Sequence, residues 1–430
     1  MANKGSQALL KSDVSVIKDI VGGNVTFSVS TVDVDGVRQL NLPLDGVLPS
    51  LVDVPYEIAD SFARKLEFER KSLVYKVVVL ASFILMFLQL VLSVYSVFLV
   101  KVGLKGLYRS QVLERMKGCD LVVSYSDENL KEGASFLPAN VYWTLTWWSM
   151  LVSKTWDILV ARYLGKSVVM FPNSLGPFRT TIGRILARLA LNRCNVILVR
   201  EPVSYRLVKS LHITSPTILT FDTTWLFESK TDAKLKHDSS LYVGVSPGVY
   251  SHVFSEDGVR KHVAAYAEAL DRGAEKFGFS FIFMPLYISG FRYDDLEIAR
   301  MIVERMKYKN HTAIVEARSA EEFKSLVDKM DMMISSKMHP AVWGLSGCVP
   351  TVCIAYDHKQ TGLFESLDLA ECVIPLCELS GSGLFSRMYY VWNNRNGIRS
   401  ILKTRGFSIR RNIKQAIRSA LSQVNGVRLS

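Results

Sequence analysis

Short apolar runs alternate with stretches of helical period along most of the chain. Cys119–Tyr125, Ser167–Phe171, Asn195–Val199 and Ile218–Asp222 read as buried strands in the first half. In the second half the same holds for Leu241–Pro247, Ser280–Pro285, 312–316, 331–335 and 351–355. Helical periods fill the intervals at 147–164, 181–192, 204–211, 257–276, 294–308 and 319–329. Strands alternating with helices of this length predict parallel sheets with crossover helices. Asn24–Val32 alternates apolar and polar positions and reads as an earlier strand, with residues 57–76 helical after it.

Lys230–Asp238 is polar, charged and without period, which marks a linker over 230–240. The expected organisation is a Rossmann-like unit over 1–229, a second over 241–400 and a basic tail over 401–430. Within the tail, Arg405–Val427 is amphipathic and should pack as a closing helix against the first unit. The fold class is α/β, with two Rossmann-like domains facing a cleft.

One stretch breaks the pattern. Val77–Val100 is apolar almost throughout, is bounded by Lys76 and Lys101, and exceeds the roughly 20 residues that span a bilayer. It makes residues 73–104 a hydrophobic insert in the first domain. Arg64, Lys65, Arg70 and Lys71 precede it, and Lys105, Arg109 and Arg115 follow. Basic flanks prefer the cytoplasmic side, so both ends want the same side. Ser82, Gln89, Ser93 and Ser96 would form one polar stripe. A helix or hairpin dipped into the cytoplasmic leaflet accounts for this better than a span, a buried core helix or an oligomer interface. No signal peptide is visible before the first helix-like stretch.

The 430 residues carry a formal charge of +12, so the partners should be anionic: a membrane surface or a phosphorylated small molecule. Nucleic acid is not expected, because zinc-finger spacing, RNP-type strands and basic arms are lacking. The six cysteines form no CxxC pair and read as reduced core residues, with no metal site. Trp143, Trp147 and Trp148 suit core or membrane-interface packing better than sugar stacking.

The chemistry gathers at two expected strand ends. Ser335-Ser336-Lys337-Met338-His339 follows one strand, and Tyr356-Asp357-His358-Lys359 follows the next. Carboxyl ends of parallel strands form the ligand crevice of an α/β sheet. Lys337, His339 and Lys359 there suit an anionic, phosphate-bearing ligand.

This block resembles the C-terminal signature of the polysaccharide pyruvyl transferase family, Ser-x-Arg-x-His followed by Tyr-Asp-x-Lys. Lys337 stands at the Arg position, keeping charge without the planar fork. Asn3-Lys4-Gly5-Ser6-Gln7-Ala8-Leu9 is similar to the family's Asn-x-Gly-x-x-Ala-Leu element. Phe171–Phe178 resembles its Pro-Gln-Ser-x-Gly-Pro-Phe loop, Val199–Ser204 its Val-Arg-Asp-x-x-Ser turn, and Phe221-Asp222 its Pro-Asp pair. Tyr125-Ser126-Asp127 stands where the family has Gly-Gly-Asp. Family members usually carry a strand before Asn-x-Gly. Here either the natural start lies further upstream or the first sheet has a gap at its centre.

The resemblance implies transfer of an enolpyruvyl unit from phosphoenolpyruvate onto two hydroxyls of a cell-envelope or extracellular polysaccharide, with a pyruvate ketal and phosphate as products. No metal or other cofactor is required, since Lys and Arg can neutralise the phosphate. His339 is the candidate general acid/base. Asp127 is a candidate to orient or deprotonate the acceptor, against a role as a helix cap. Lys337, Lys359 and Arg200 are candidate anion clamps, with Tyr356 beside them. The plainer alternatives are solvated lysines, a structural histidine, and an ion pair of Arg200 with Glu201 or Asp222. Ser174 and Gly176 either donate hydrogen bonds to a substrate or only build a turn. His358 is adjacent, while His252, Asp294 and Asp295 read as surface residues.

A lipid-linked acceptor would explain an insert beside a GT-B-like cleft. The rival readings are a nucleotide-sugar glycosyltransferase on the same architecture and a non-catalytic membrane-associated subunit of polysaccharide assembly.

Overall fold

Two parallel sheets, one from each half of the chain, organise the computed structural model. It describes residues 3–22, 25–66, 72–128, 130–134, 141–229, 241–248, 255–290, 293–424, 426–427 and 429. The expected linker at 230–240 and His252 lie outside the described residues, as does the Trp143 side chain.

The chain opens with α1 (Lys4–Val21), β1 (Ser28–Thr31), α2 (Val34–Arg38), β2 (Gly46–Pro49), α3 (Pro55–Leu66), α4 (Leu73–Lys101) and α5 (Ser110–Gly118). The first large sheet follows as β3 (Leu121–Ser124), α6 (Val141–Tyr163), β4 (Ser167–Asn173), α7 (Thr181–Leu191), β5 (Val196–Val199), α8 (Pro202–Ser210) and β6 (Thr217–Leu219). The second half begins with β7 (Leu241–Ser246), α9 (Glu256–Phe277), β8 (Phe279–Phe283), α10 (Asp295–Arg305), β9 (Thr312–Ile314) and α11 (Ala320–Val327). It closes with β10 (Met332–Ser335), α12 (Met338–Ser346), β11 (Thr351–Ala355), α13 (His358–Glu365), β12 (Val373–Pro375), α14 (Gly381–Asn393) and α15 (Arg395–Ser422).

The first sheet runs β3-β4-β5-β6 and the second β12-β11-β10-β7-β8-β9, with every pairing parallel. β4, β5 and β10 are buried at all or nearly all positions, as sheets covered on both faces require. In the second sheet the strand order reverses between β7 and β10. That is the topological switch point, where a crevice opens beyond the carboxyl ends of the strands. Gly248 follows β7 and Lys337 follows β10, so the sequence places its charged block at this point.

The last helix begins ten residues before the expected start and returns to the first domain. Asn412 accepts a hydrogen bond from Thr220 Oγ at 2.8 Å, and Arg410 Nε donates to the Trp225 carbonyl at 3.3 Å. α14 packs on α9 through Phe277, Phe385 and Tyr389 and had no clear signal in the sequence.

β1 and β2 pair only with each other, and β3 is an edge strand. A cavity of about 1230 Å³ separates them, lined by Ser28–Ser30 on one side and Leu121–Tyr125 on the other. Among the described residues β1 and β2 thus form a small sheet of their own.

The insert forms one unbroken helix, α4. Its polar residues Ser82, Gln89, Ser93 and Ser96 are buried, while Leu80, Ile84, Phe87 and Val91 are more than half exposed. The stripe expected from the sequence exists and faces the protein.

Candidate active site

His339 lies in the first turn of α12, two residues after Lys337, which caps the helix without a side-chain bond. The N-terminus of α1 meets it from the other end of the sequence. Asn3 caps α1 by accepting the Gly5 N–H at 2.9 Å, and a Cβ on Gly5 would overlap Nδ1 of His339. Gly5 is thus required for close approach and not for backbone freedom. Burial pushes the imidazole below its usual pKa, Asp222 draws it up, and Arg200 and Lys359 oppose a second positive charge. Its Nε2 is buried without a hydrogen-bond partner among the described residues. A neutral ring with one unengaged nitrogen is able to accept a proton from, or return it to, a bound group.

Arg200 leaves the end of β5 and is 2% exposed. Its NH1 donates to Asp222 Oδ2 at 2.6 Å, and its Nε donates to Ser174 Oγ at 2.8 Å. Of the two ion pairs expected for it, the Asp222 pair is the one formed. Burial would lower the guanidinium, but Asp222 and the carboxylates of Glu128, Asp127 and Glu201 hold it charged. Burial would raise Asp222, and Arg200 followed by His339 keeps its carboxylate below the usual range. Asp222 also accepts from Thr224 N–H at 2.8 Å.

Asp127 caps no described helix. Its carbonyl accepts the Ser174 N–H at 3.0 Å and its carboxylate accepts from Tyr125 Oη at 3.0 Å. Ser174 therefore holds Arg200 and Asp127 in one frame. Gly176 adopts φ +71° ahead of a cis peptide to Pro177, and its N–H donates to the Leu130 carbonyl at 2.9 Å. That N–H is engaged within the loop.

The cations are engaged. Lys337 Nζ lies 3.1 Å from Asp295 Oδ1, with its stem against Gly248. Asp295 was expected at the surface and is instead 3% exposed, because the Leu286 and Tyr287 N–H groups also converge on it. Lys359 is paired with Glu128 from the first domain. Lys131 lies 3.0 Å from Glu128 and 3.4 Å from Asp357, and sits 4.0 Å over the Trp147 ring. Burial would raise Glu128, but Lys131 and Lys359 bring it down to about 2. His358 Nδ1 is 2.9 Å from Asp357, and its Nε2 is 3.8 Å from Glu201 of the first domain. Tyr356 is buried, with Lys359 Nζ 4.9 Å from its ring centre. These pairs join the loop after β3 to the loop after β11 across the cleft.

Asp13 on α1 completes the floor. It accepts Ser126 N–H at 2.7 Å and Ser126 Oγ–H at 2.9 Å, and burial pushes its pKa up to about 7. Gly5, Asp13, Glu128, Lys131 and Asp222 were not among the expected site residues. Only Asn3–Gly5 and Asp222 carried a signal, through the family-like elements around them. Among the described residues no cluster of His, Cys, Asp and Glu has the arrangement of a metal site.

The amylovoran biosynthesis protein AmsJ of Erwinia amylovora is 21% identical over 251 residues, covering 55% of this chain and 60% of that protein. The match therefore spans less than two thirds of its length. Three solved structures share the architecture. UDP-GlcNAc 2-epimerase from Neisseria meningitidis bound to UDP-GlcNAc has a TM-score of 0.55 at 13% identity, covering 97% of both chains. Anabaena HepE in complex with UDP and glucose has a TM-score of 0.53 at 12% identity, again covering 97% of both chains. Glycyrrhiza uralensis UGT73P12 complexed with glycyrrhetinic acid 3-O-monoglucuronide has a TM-score of 0.54 at 10% identity, covering 98% of this chain and 94% of the other. At these identities the likeness establishes the two-domain GT-B fold alone. The polysaccharide pyruvyl transferase family matches residues 3–358, which takes in α1, the insert, the cleft and the block around His339; the chain belongs to that family.

Proposed function

We propose that the protein transfers an enolpyruvyl unit from phosphoenolpyruvate to two hydroxyls of one sugar, forming a pyruvate ketal and releasing phosphate. Three facts support this reading: the family match, the switch-point crevice, and a buried His339 Nε2, near Arg200, that has no hydrogen-bond partner among the described residues. The last carries most weight, because the reaction needs a proton delivered to carbon next to fixed positive charge.

In the first half-reaction His339 protonates the methylene carbon of the donor, and an oxocarbenium-like centre develops at the adjoining carbon. Arg200, held by Asp222, steadies the donor's anionic groups. The first acceptor hydroxyl bonds to that centre and yields its proton to Asp127. In the second half-reaction the carbon–oxygen bond to phosphate breaks, phosphate leaves, and the second hydroxyl closes the ketal. Of the two hydroxyl protons, one replaces the proton given to the methyl group and the other departs on phosphate. Lys359 reaches the phosphate by exchanging Glu128 for it, and Lys337 serves from its station on Asp295.

The acceptor is a sugar of an envelope or extracellular polysaccharide, carried on a lipid, and the reaction runs at the cytoplasmic face of a membrane. The outward apolar face of α4 supports that location.

Calorimetry with phosphoenolpyruvate and a panel of nucleotide sugars tests the donor. Binding of phosphoenolpyruvate, weakened at least tenfold by Lys337→Ala, is expected. Binding of a nucleotide sugar in its place would replace this reading with glycosyl transfer.

A further inference from the structure

We infer that α4 lies flat in one leaflet of an anionic membrane, docked along its length and not crossing. The inference deepens the membrane location proposed above and does not depend on the chemistry of the cleft.

α4 is inverted relative to a surface helix of a water-soluble protein. Ser82, Gln89, Ser93 and Ser96 turn inward, and each is hydrogen-bonded. Gln89 accepts the Asp53 N–H and donates to its carboxylate, both at 2.9 Å. Ser93 Oγ accepts from Trp156 Nε1 at 2.8 Å, and Ser96 Oγ accepts the Tyr108 N–H at 2.7 Å. Near the start, Tyr75 Oη donates to buried Asp60 at 2.7 Å; near the end, Lys117 donates to the Val100 carbonyl at 2.7 Å. Between Lys76 and Lys101 the exposed side chains are apolar apart from Tyr95, whose ring suits the membrane interface, and the helix has a mean hydropathy of 2.7 over an 18-residue window.

Contact along the whole helix fixes its orientation. From Tyr75 to Val100 the helix measures about 37 Å, longer than the ~30 Å hydrocarbon core. A crossing would draw Asp60 and the Asp53–Arg109 ion pair, 2.9 Å apart, into that core with it. Placing charges there costs several kcal/mol in each case. Lying flat avoids this, since the charged partners stay on the protein side.

The rim names the lipid. Lys65, Lys76, Lys101 and Lys105 are exposed around the two ends, and no acidic residue occurs between Ser72 and Leu113. Phe62, Leu66, Leu104 and Leu107 extend the apolar surface beside these lysines. Lysines at headgroup depth around an apolar stripe match an anionic leaflet. A second copy of this chain would bring the same lysines together.

The test uses full-length protein with Cys377→Ser and single nitroxide-labelled cysteines at Leu80, Ile84, Phe87, Val91 and Phe98. Depth is read by oxygen and nickel-chelate accessibility on vesicles of phosphatidylcholine with and without phosphatidylglycerol. Flat docking gives all five labels the same depth, about 5–10 Å below the phosphates. It also predicts several-fold stronger binding to the anionic vesicles and loss of flotation in Ile84→Ser/Phe87→Ser/Val91→Ser. A depth profile that peaks at mid-helix, as in a span, would overturn the inference. So would labels protected in vesicle-free dimers, or flotation unchanged by the triple substitution.

Discussion

Gly5 and His339, 334 positions apart, touch so closely that the glycine has no room for a Cβ beside the imidazole. The start of α1 and the start of α12 meet in the cleft, and the histidine's position is set from both domains. Gly5→Ala should therefore displace the ring while leaving the helix intact, because Ala is the better helix former by about 1 kcal/mol. A displacement near 1 Å lowers turnover by about 100-fold. Steady-state kinetics beside a thermal melt checks this: activity falls and the Tm moves by no more than a few degrees.

Arg200 and Asp222 form a buried pair with each side chain about 1% exposed. Arg200→Ala leaves the carboxylate alone, which costs about 3–5 kcal/mol. Arg200→Lys keeps the charge and loses the link to Ser174, so it should fold with a far weaker donor affinity. Chemical denaturation and donor titration of the two variants separate these effects.

His339 is held neutral in the free protein by burial, Arg200 and Lys359. A bound dianion raises that lowered pKa, so donor binding should take up a proton near neutral pH. Titration calorimetry in buffers of different ionisation enthalpy reads the uptake directly. His339→Gln should bind donor without it, and should lose about 100- to 10,000-fold in rate.

Asp13 sits at about 7, above its usual 3.8. The folded state then binds more protons than the unfolded one between these values, so stability is full below pH 4 and declines as pH rises through 7. The decline amounts to at most about 4 kcal/mol. Asp13→Asn can keep both bonds to Ser126, with its oxygen accepting the N–H and its amide donating to Oγ. It should raise the Tm at pH 8 and flatten the pH dependence, as melts from pH 5 to 8 would show.

The alternating strands were legible because β-branched runs such as Val168-Val169 and Val196-Ile197-Leu198-Val199 are buried on both faces. The places of His339 and Arg200 beyond strand ends were legible from the apolar runs that precede them. Their partners were not: Asp222, Gly5 and Asp295 lie 22, 334 and 42 positions from the residues they hold, and local pattern carries no such pairing. Glu128 and Lys131 read as an ordinary polar loop until the second domain closes over them. α14 was missed because Gly381-Ser382-Gly383 resembles a turn, although Ser380 caps it by accepting the Gly383 N–H at 3.1 Å.

The central claim is that this cleft makes a pyruvate ketal using His339. The most direct measurement is the ketal methyl signal, by NMR, of envelope or extracellular glycan from cells in which the gene is deleted and then restored. The signal should vanish on deletion, return with the unaltered gene and stay absent with His339→Ala expressed at equal level. A ketal signal that survives deletion, or that His339→Ala restores in full, would contradict the account.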